Sequence, residues 1–297
     1  MVIGNIFGKG SEQMRVLIFG ATGLLGKALI PAWTGDDDVR GLGSKDADIR
    51  DENQVRTAVT SFNPDWIVLA AAYTDVDGCE ANQELAFAVN TQGAANVARV
   101  TKENGARLLF ISTDYVFDGT KTLPYEVDDV RSPRSVYGLS KAEAEVELAC
   151  ILPEVCIART SWLYGMGGKC FPDTILKLAA TRPALDVVTD QRGSPTYAVD
   201  LASAIIELCR KDARGIVHVT NSGDCTWFDF ARDITAGAGL LTEVRPTTSD
   251  KFVRPAERPK YSVLSSARLE RYGVKMPGWR EALSRYLVER SASVQKA

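Results

Sequence analysis

Arg15-Val16-Leu17-Ile18-Phe19 runs directly into Gly20-Ala21-Thr22-Gly23-Leu24-Leu25-Gly26, and this sequence is the strongest indication of the fold class. The apolar, β-branched run predicts a buried strand, and the residues after Gly26 continue as a helix. Glycines between a strand and a helix allow a tight turn and let the backbone approach a pyrophosphate at the helix N-terminus. The G-x-x-G-x-x-G spacing is one residue longer in its first gap than the usual dinucleotide fingerprint. We interpret residues 20–26 as a nucleotide-binding turn.

Strand-like and helix-like segments alternate through the first half of the chain. Strands are predicted at 15–19, 38–43, 65–72, 107–112 and 155–159, and helices after the glycine turn, at 52–62, at 80–104 and up to about residue 150. This alternation predicts an α/β fold with a doubly wound, Rossmann-type parallel sheet.

Beyond about residue 165 the pattern becomes irregular and richer in proline. We predict a dinucleotide-binding domain over 14–165, to which some elements of 195–222 return. A smaller C-terminal α/β lobe over 166–297 is expected to bind the substrate. Residues 1–13 are interpreted as a loosely ordered extension.

The composition excludes several classes of function. A net charge of -3 and a pI near 5.5 argue against binding to nucleic acid or to anionic membranes. No apolar run approaches the ~18 residues that a membrane span needs. The six cysteines show no C-x-x-C pair and the chain has one histidine, so no metal site is predicted. These features are typical of a cytoplasmic protein with reduced thiols.

Tyr137 and Lys141 stand four residues apart in a segment that predicts a helix. Positions i and i+4 share one helix face, so the phenol and the ammonium should point into the same pocket. A free tyrosine has a pKa of about 10, and a nearby positive charge lowers that pKa, which suits acid–base work. The spacing alone also occurs on protein surfaces. Together with the upstream glycine turn, it indicates a nicotinamide-dependent enzyme.

Several segments, in order from Met14 to about residue 285, carry a family pattern: 20–26, 90, 112–119, 137–141, 159–164, 190–196 and 258–264. Together they resemble the extended short-chain dehydrogenase/reductase family, and within it the dTDP-4-dehydrorhamnose reductases. The glycine turn and the Tyr–Lys spacing would fit any extended member. The segments 113–117, 160–162 and 190–196 are much more specific.

The resemblance implies that the family's Ser/Thr–Tyr–Lys trio is Thr113, Tyr137 and Lys141. Thr113 follows a predicted strand, at the end where open α/β sheets place their ligands. Its hydroxyl would hydrogen-bond the substrate carbonyl, and Tyr137 would protonate that oxygen as hydride reaches carbon 4 of the sugar. Lys141 would hold the nicotinamide ribose and lower the pKa of the tyrosine.

The resemblance also implies two sets of binding residues. The cofactor-binding set is Gly20, Thr22, Gly23, Leu24, Leu25, Gly26, Ser44, Lys45, Asp48, Ile49, Ala70, Ala71, Ala72, Tyr73, Asn90, Tyr137 and Lys141. The substrate-binding set is Thr74, Val76, Thr113, Asp114, Tyr115, Trp162, Thr196 and Arg258. In the second set, Trp162 is expected to stack near the substrate, and Thr196 and Arg258 to contact its nucleotide part.

The implied activity is the NAD(P)H-dependent reduction of the carbon-4 ketone of dTDP-4-dehydro-L-rhamnose to dTDP-L-rhamnose, a step in nucleotide-sugar and polysaccharide biosynthesis. The glutamate base of the related 4,6-dehydratases is missing, because Tyr115 stands at its position. His218 is interpreted as a core histidine and not as an epimerase acid. Two alternatives stay open. One is a reductase of another nucleotide-linked 4-keto-6-deoxy sugar, and the other is a non-catalytic regulatory subunit like that of methionine adenosyltransferase.

The choice of cofactor depends on the end of the second strand. An NAD-selective site places a carboxylate there to bind the ribose 2′-hydroxyl. This chain has Ser44 and Lys45 before Asp46, and these two side chains are expected to accept a 2′-phosphate. We predict that NADPH is used at least as well as NADH. Some relatives form a magnesium-bridged dimer through a carboxylate on the first helix, where this chain has Lys27 and Ala28. We therefore expect a magnesium-independent monomer or homodimer.

Overall fold

Strands and helices alternate through the first half of the computed structural model, which describes residues 13–294 apart from 34 and 36. The predicted N-terminal extension therefore lies outside the described residues except for Gln13. The elements of this half are β1 (Arg15–Phe19), α1 (Leu24–Ala32), β2 (Asp38–Leu42), α2 (Glu52–Phe62), β3 (Trp66–Leu69), α3 (Val76–Ala81), α4 (Gln83–Phe87), α5 (Ala94–Asn104), β4 (Arg107–Thr113), α6 (Val136–Ile151) and β5 (Cys156–Thr160).

Shorter strands and several helices make up the second half. They are β6 (Leu163–Tyr164), α7 (Phe171–Ala179), β7 (Ala184–Val188), β8 (Arg192–Gly193), β9 (Thr196–Tyr197), α8 (Ala198–Arg210), β10 (Gly215–His218), β11 (Cys225–Thr226), α9 (Trp227–Gly237), β12 (Glu243–Thr247), α10 (Ala267–Arg271) and α11 (Trp279–Val294). None of the helices in the described part of the chain is long and apolar enough to cross a membrane.

A six-stranded parallel sheet in the order β10-β5-β4-β3-β1-β2 forms the frame of the molecule. The chain leaves β1 for β2 on one side and then returns to β3 on the other. The order of strands thus reverses between β1 and β3. Open α/β sheets bind ligands outside the carboxyl ends of the strands at such a point. The predicted α/β, Rossmann-type fold is confirmed.

Both faces of the sheet are covered by apolar layers. Along β1, Ile18 belongs to the cluster on one face, whereas Leu17 and Phe19 belong to the cluster on the other. This alternation follows from the two-residue period of a strand. A third cluster, which includes Tyr164, Phe230 and Tyr286, forms a separate core among α7, α9 and α11.

Two elements of the range 195–222 pack with the N-terminal half of the chain. Helix α8 packs against α1, and β10 extends the sheet through its parallel pairing with β5. The other small strands of the C-terminal half include the parallel pair β7 and β12. The division into two domains near residue 165 stays a prediction.

The prediction of one continuous helix over 80–104 was wrong. The segment contains α3, α4, a π-helical stretch Ala88–Gly93 and then α5. Helix α3 begins earlier than predicted because the Asp75 side chain caps it by accepting from Gly78 N. The π-helical stretch carries Asn90, which hydrogen-bonds the backbone of Tyr73. A helical sequence pattern does not predict these contacts between Asn90 and the loop that carries Tyr73.

Candidate active site

The glycine turn after β1 lies directly against the end of β3. Gly20 has a φ of 92°, and a Cβ at that position would lie 2.5 Å from the Ala71 nitrogen. Only glycine tolerates both this backbone conformation and this approach. The turn therefore brings the start of α1 next to the alanines at the sheet's carboxyl edge.

Two cavities meet at this turn and share Gly20, Gly23, Ala70 and Ala72. The larger, here called the Ser44 cavity, measures about 510 Å³. Its other lining residues are Phe19, Thr22, Gly43, Ser44, Ala47, Asp48, Ile49, Arg50, Ala71, Leu85 and Val89.

The second cavity, here called the Tyr137 cavity, measures about 430 Å³. Besides the shared residues, it is lined by Leu24, Leu25, Gly26, Thr74, Val76, Ile111, Ser112, Thr113, Asp114, Tyr115, Tyr137, Lys141, Thr160, Ser161, Trp162, Leu163, Lys169 and Trp227. All three predicted catalytic residues thus line one cavity that also contains the glycine turn.

Thr113 is the last residue of β4 and presents its hydroxyl at the carboxyl edge of the sheet. Its Oγ1 accepts from the Tyr115 nitrogen at 3.2 Å and donates to Asp114 Oδ1 at 3.0 Å. The Tyr115 ring packs edge-on against Tyr137, with centroids 5.6 Å apart. Tyr137 and Thr113 both line the cavity. Strand β4 and helix α6 therefore bring two hydroxyl groups together in the cavity.

Burial governs the acidity of the two groups on α6. It raises the pKa of the Tyr137 phenol above its usual value of 10, and the nearby Thr113 hydroxyl offsets this only in part. Burial also lowers the pKa of Lys141 to about 7, against the attraction of Glu145. Lys141 is not among the causes of the Tyr137 shift, and the expectation that it lowers the pKa of Tyr137 stays a prediction.

Two residues of strand β4 contact the Lys141 ammonium. Its Nζ donates to the carbonyl oxygen of Ile111 at 2.7 Å and lies 3.8 Å from the centre of the Phe110 ring. One turn further along α6, the buried Glu145 accepts from Arg159 Nη2 at 2.6 Å and from Ser112 Oγ at 2.6 Å. This ion pair ties α6 to β4 and β5 and fixes the helix that carries the catalytic pair.

Asp114 is an unusual carboxyl group in the wall of the Tyr137 cavity. It is 2% exposed, and its Oδ2 has no hydrogen-bond partner among the described residues. Burial is the main cause that raises its pKa to about 6. A buried carboxyl with a free oxygen is able to accept a hydrogen bond from a ligand hydroxyl.

Trp162 forms part of an aromatic wall of the same cavity. Its backbone has a φ of 46°, a conformation that costs energy for a bulky residue. Its ring stacks on Trp227 with centroids 3.4 Å apart, and it also lies against Gly193. Trp162 lines the cavity, but Trp227 covers much of its face, and its stacking near the substrate stays a prediction.

Two residues of the predicted substrate set, Thr196 and Arg258, are not among the lining residues of either cavity. Thr196 is fully buried, and its hydroxyl donates to the Ser194 carbonyl. Arg258 directs both terminal nitrogens to Asp77, at 2.9 and 2.8 Å. Because their polar groups are already engaged, the role given to them from the resemblance has no support from their positions.

Three residues of the predicted cofactor set line neither cavity. Lys45 is exposed beside the Ser44 cavity. Asn90 holds Tyr73 through both backbone groups and donates to Ser140 Oγ at 3.0 Å. Asn90 and Tyr73 therefore brace the loop after β3 against α6.

The chain matches a family model along almost its whole length. Residues 14–291 match the model described as the RmlD substrate binding domain. The chain belongs to the RmlD substrate binding domain family. The match begins just before β1 and ends within α11, so it includes both cavities.

Curated relatives carry related names. The spore coat polysaccharide biosynthesis protein SpsK of Bacillus subtilis is 42% identical over 94% of this chain and 99% of its own length. A probable dTDP-4,6-dihydroxy-2-methyloxan-3-one 4-ketoreductase of Streptomyces antibioticus is 40% identical, over 91% and 93%. A dTDP-4-dehydrorhamnose reductase of Mycobacterium tuberculosis is 39% identical, over 91% of each chain.

A solved member of the RmlD family has the same architecture. The crystal structure of dTDP-4-dehydrorhamnose reductase from Bacillus anthracis, in complex with NADP, is 39% identical. It aligns with a TM-score of 0.91 over 93% of this chain and 99% of that one.

Some cavity residues of this RmlD-family chain were not found by the sequence reasoning. Arg50, Lys169 and Trp227 line the two cavities but lie outside the predicted sets. Arg50 directly follows the predicted Asp48-Ile49 pair, so its place in the cavity could have been predicted from the sequence. Lys169 and Trp227 come from the C-terminal half, and no local pattern shows that they meet the glycine turn.

Proposed function

We propose that this protein reduces the carbon-4 ketone of dTDP-4-dehydro-L-rhamnose to dTDP-L-rhamnose, with NADPH as the hydride donor. The observation that carries the proposal is the convergence of Thr113, Tyr137 and Lys141 on the cavity that contains the glycine turn. The RmlD-family relatives named for this reaction match the chain over nearly its full length.

The described residues fit a nicotinamide dinucleotide. The glycine turn and the first turn of α1 offer backbone N–H groups, and no acidic residue lies in that turn. Ala70 and Ala72 form a floor with small side chains that both cavities share. The Ser44 cavity, of about 510 Å³ and lined by Ser44 and Ile49, would hold the adenosine end, and the Tyr137 cavity would hold the nicotinamide end.

Each catalytic side chain has a distinct task. The bound dinucleotide supplies the hydride that reaches carbon 4. Tyr137 transfers its phenolic proton to the ketone oxygen, so the product is a secondary alcohol and the tyrosine is left as a phenolate. The raised pKa of Tyr137 keeps that proton in place at neutral pH, which is the form a reductase needs.

Thr113 and Lys141 assist that transfer. Thr113 has one hydroxyl proton, which it now donates to Asp114. A hydrogen bond to the ketone therefore requires the hydroxyl to turn away from that carboxyl group. Protonated Lys141, held by Ile111, offers further N–H groups to the ribose and a positive charge for the phenolate.

A second candidate is the reduction of a different dTDP-linked 4-keto sugar. A relative with nearly the same identity as the rhamnose enzymes is named for another 4-keto sugar. The same three catalytic residues would serve that reaction, because the ketone and the hydride donor are of the same kind. The choice depends on the shape of the sugar site beside Trp162 and Tyr115.

A direct comparison of substrates tests the proposal. Purified protein is given NADPH with dTDP-4-dehydro-L-rhamnose or with its precursor dTDP-4-dehydro-6-deoxy-D-glucose, and NADPH oxidation and product NMR are recorded. We expect faster turnover of dTDP-4-dehydro-L-rhamnose and formation of dTDP-L-rhamnose. Preferred turnover of the glucose-configured ketone would favour the second candidate. No turnover of either would contradict both.

A further inference from the structure

The loop 165–169 lies directly on the first turns of α1. Lys27 Nζ donates to the Gly167 carbonyl at 2.5 Å. A Cβ on Gly167, which has a φ of 77°, would lie 2.8 Å from the Lys27 side chain, and one on Gly168 would lie 3.1 Å from Leu24 Cβ. Glycine thus permits close contact between this loop of the C-terminal half and the nucleotide-binding helix.

Lys169 follows this contact and lines the Tyr137 cavity together with the glycine turn. Its side chain is exposed, and it joins none of the ion pairs found among the described residues. The loop is held by other groups, Gly167 and Gly168. The contacts that hold this loop in place therefore do not involve the Lys169 ammonium.

Few other cations are available to a ligand in the Tyr137 cavity. The only other cationic residue in the lining is Lys141, which is buried and donates to the Ile111 carbonyl. Arg258, the cation first expected to meet a phosphate, is engaged by Asp77. Both ligands of the proposed reaction contain a diphosphate, and their negative charge requires a cation or N–H groups nearby.

We propose that Lys169 binds a diphosphate group across the Tyr137 cavity from the glycine turn. This inference rests on the proposed function and adds a binding residue to it. The diphosphate belongs either to the cofactor or to the nucleotide sugar, and the chemistry of recognition is the same for both. Lys27 and the two loop glycines position Lys169 for this contact.

Equilibrium binding of two probes distinguishes the sources. Dissociation constants for NADPH and for dTDP are measured by calorimetry with the wild type, Lys169→Met, Lys169→Arg and the control Lys177→Met. Lys177 is exposed on α7 and lies outside both cavities. Loss of a charged hydrogen bond should weaken binding by about 10- to 100-fold, and the arginine variant should recover most of the loss.

The pattern of losses decides the assignment. Weaker dTDP binding with unchanged NADPH binding assigns Lys169 to the substrate, and the reverse assigns it to the cofactor. Unchanged binding of both probes in Lys169→Met, or an equal loss in Lys177→Met, would overturn the inference. Because these are binding measurements, they remain decisive if the wild type fails to reduce the proposed ketone, an outcome that would count only against the proposed function.

Discussion

Lys141 donates a hydrogen bond from Nζ to the carbonyl oxygen of Ile111, 2.7 Å away, at the centre of the carboxyl edge of the sheet. Burial lowers the pKa of this lysine to about 7. The catalytic lysine is thus poised between its charged and neutral forms near neutral pH. That property has a measurable consequence for stability.

The lowered pKa of Lys141 should increase the free energy of unfolding as pH rises from about 7 to about 10. Lysine in the unfolded chain has a pKa of about 10.4, so the unfolded state binds more protons than the folded state in this window. Stability then rises with pH, by up to about 1.4 kcal/mol per pH unit for one group. Urea unfolding of the wild type and Lys141→Met at pH 7.5 and 9.5 measures the contribution.

The comparison with Lys141→Met is needed because other groups titrate over the same range. Burial raises the pKa of Cys79 to about 11 and of Cys156 to about 12, and this opposes the gain. Both proteins share the cysteines, so their effect cancels in the difference. A wild-type protein with the same pH slope as Lys141→Met would show that Lys141 keeps an ordinary pKa.

Replacement of Tyr137 by phenylalanine should abolish most of the reduction and leave cofactor binding largely intact. The phenol supplies the proton, and a general acid contributes roughly 10²–10⁴-fold to the rate. Steady-state turnover and NADPH titration of Tyr137→Phe check the two parts. Turnover above half of the wild-type rate would remove Tyr137 from its role.

Arg50 should control the preference for NADPH over NADH. Its guanidinium pairs with Asp48 in the Ser44 cavity, with Nε 2.9 Å from Oδ2. Without Arg50, the Asp48 charge would be unpaired and would repel a 2′-phosphate. We expect Arg50→Ala to weaken NADPH roughly 5- to 10-fold more than NADH.

The matched control for Arg50 is Lys45→Ala, since Lys45 is exposed and outside the cavity lining. The sequence-based prediction assigned the 2′-phosphate to Ser44 and Lys45. Fluorescence titration with both cofactors separates the two assignments. A loss of NADPH selectivity in Lys45→Ala, with none in Arg50→Ala, would restore the original one.

Magnesium should be dispensable for both activity and assembly. Lys27 occupies the helix position at which a carboxylate would be needed, and its ammonium is directed to Gly167. No cluster of potential metal ligands occurs within the described residues. Light scattering and turnover with and without EDTA test this. A dimer and an activity that both vanish on chelation and return with Mg²⁺ would refute it.

Local patterns predicted much of the fold but little of the C-terminal half. Helix α2 has the predicted bounds because Asp51 caps its start and Asn63 takes a left-handed conformation at its end. The pairing of β10 with β5 joins segments that lie far apart in the sequence, and no strand pattern specifies such a partner.

The same limit applies to the site. Thr113 and the Tyr137–Lys141 pair could be found because a strand end and a helix spacing place them. The pairing of Arg258 with Asp77 spans 181 residues, and the stacking of Trp162 on Trp227 depends on how the C-terminal half meets the sheet. Only the folded chain shows which charges are still free to bind a ligand.

The position of a transferred deuterium shows whether the hydride of NADPH reaches carbon 4 of the sugar. The protein is incubated with dTDP-4-dehydro-L-rhamnose and NADPH deuterated at carbon 4 of the nicotinamide, in the transferred position, and the product is analysed by NMR. We expect dTDP-L-rhamnose with deuterium at carbon 4 of the sugar, and a roughly 10²–10⁴-fold slower formation of this product with Tyr137→Phe. Oxidation of NADPH without deuterium at that carbon, or label in a different sugar, would contradict this expectation.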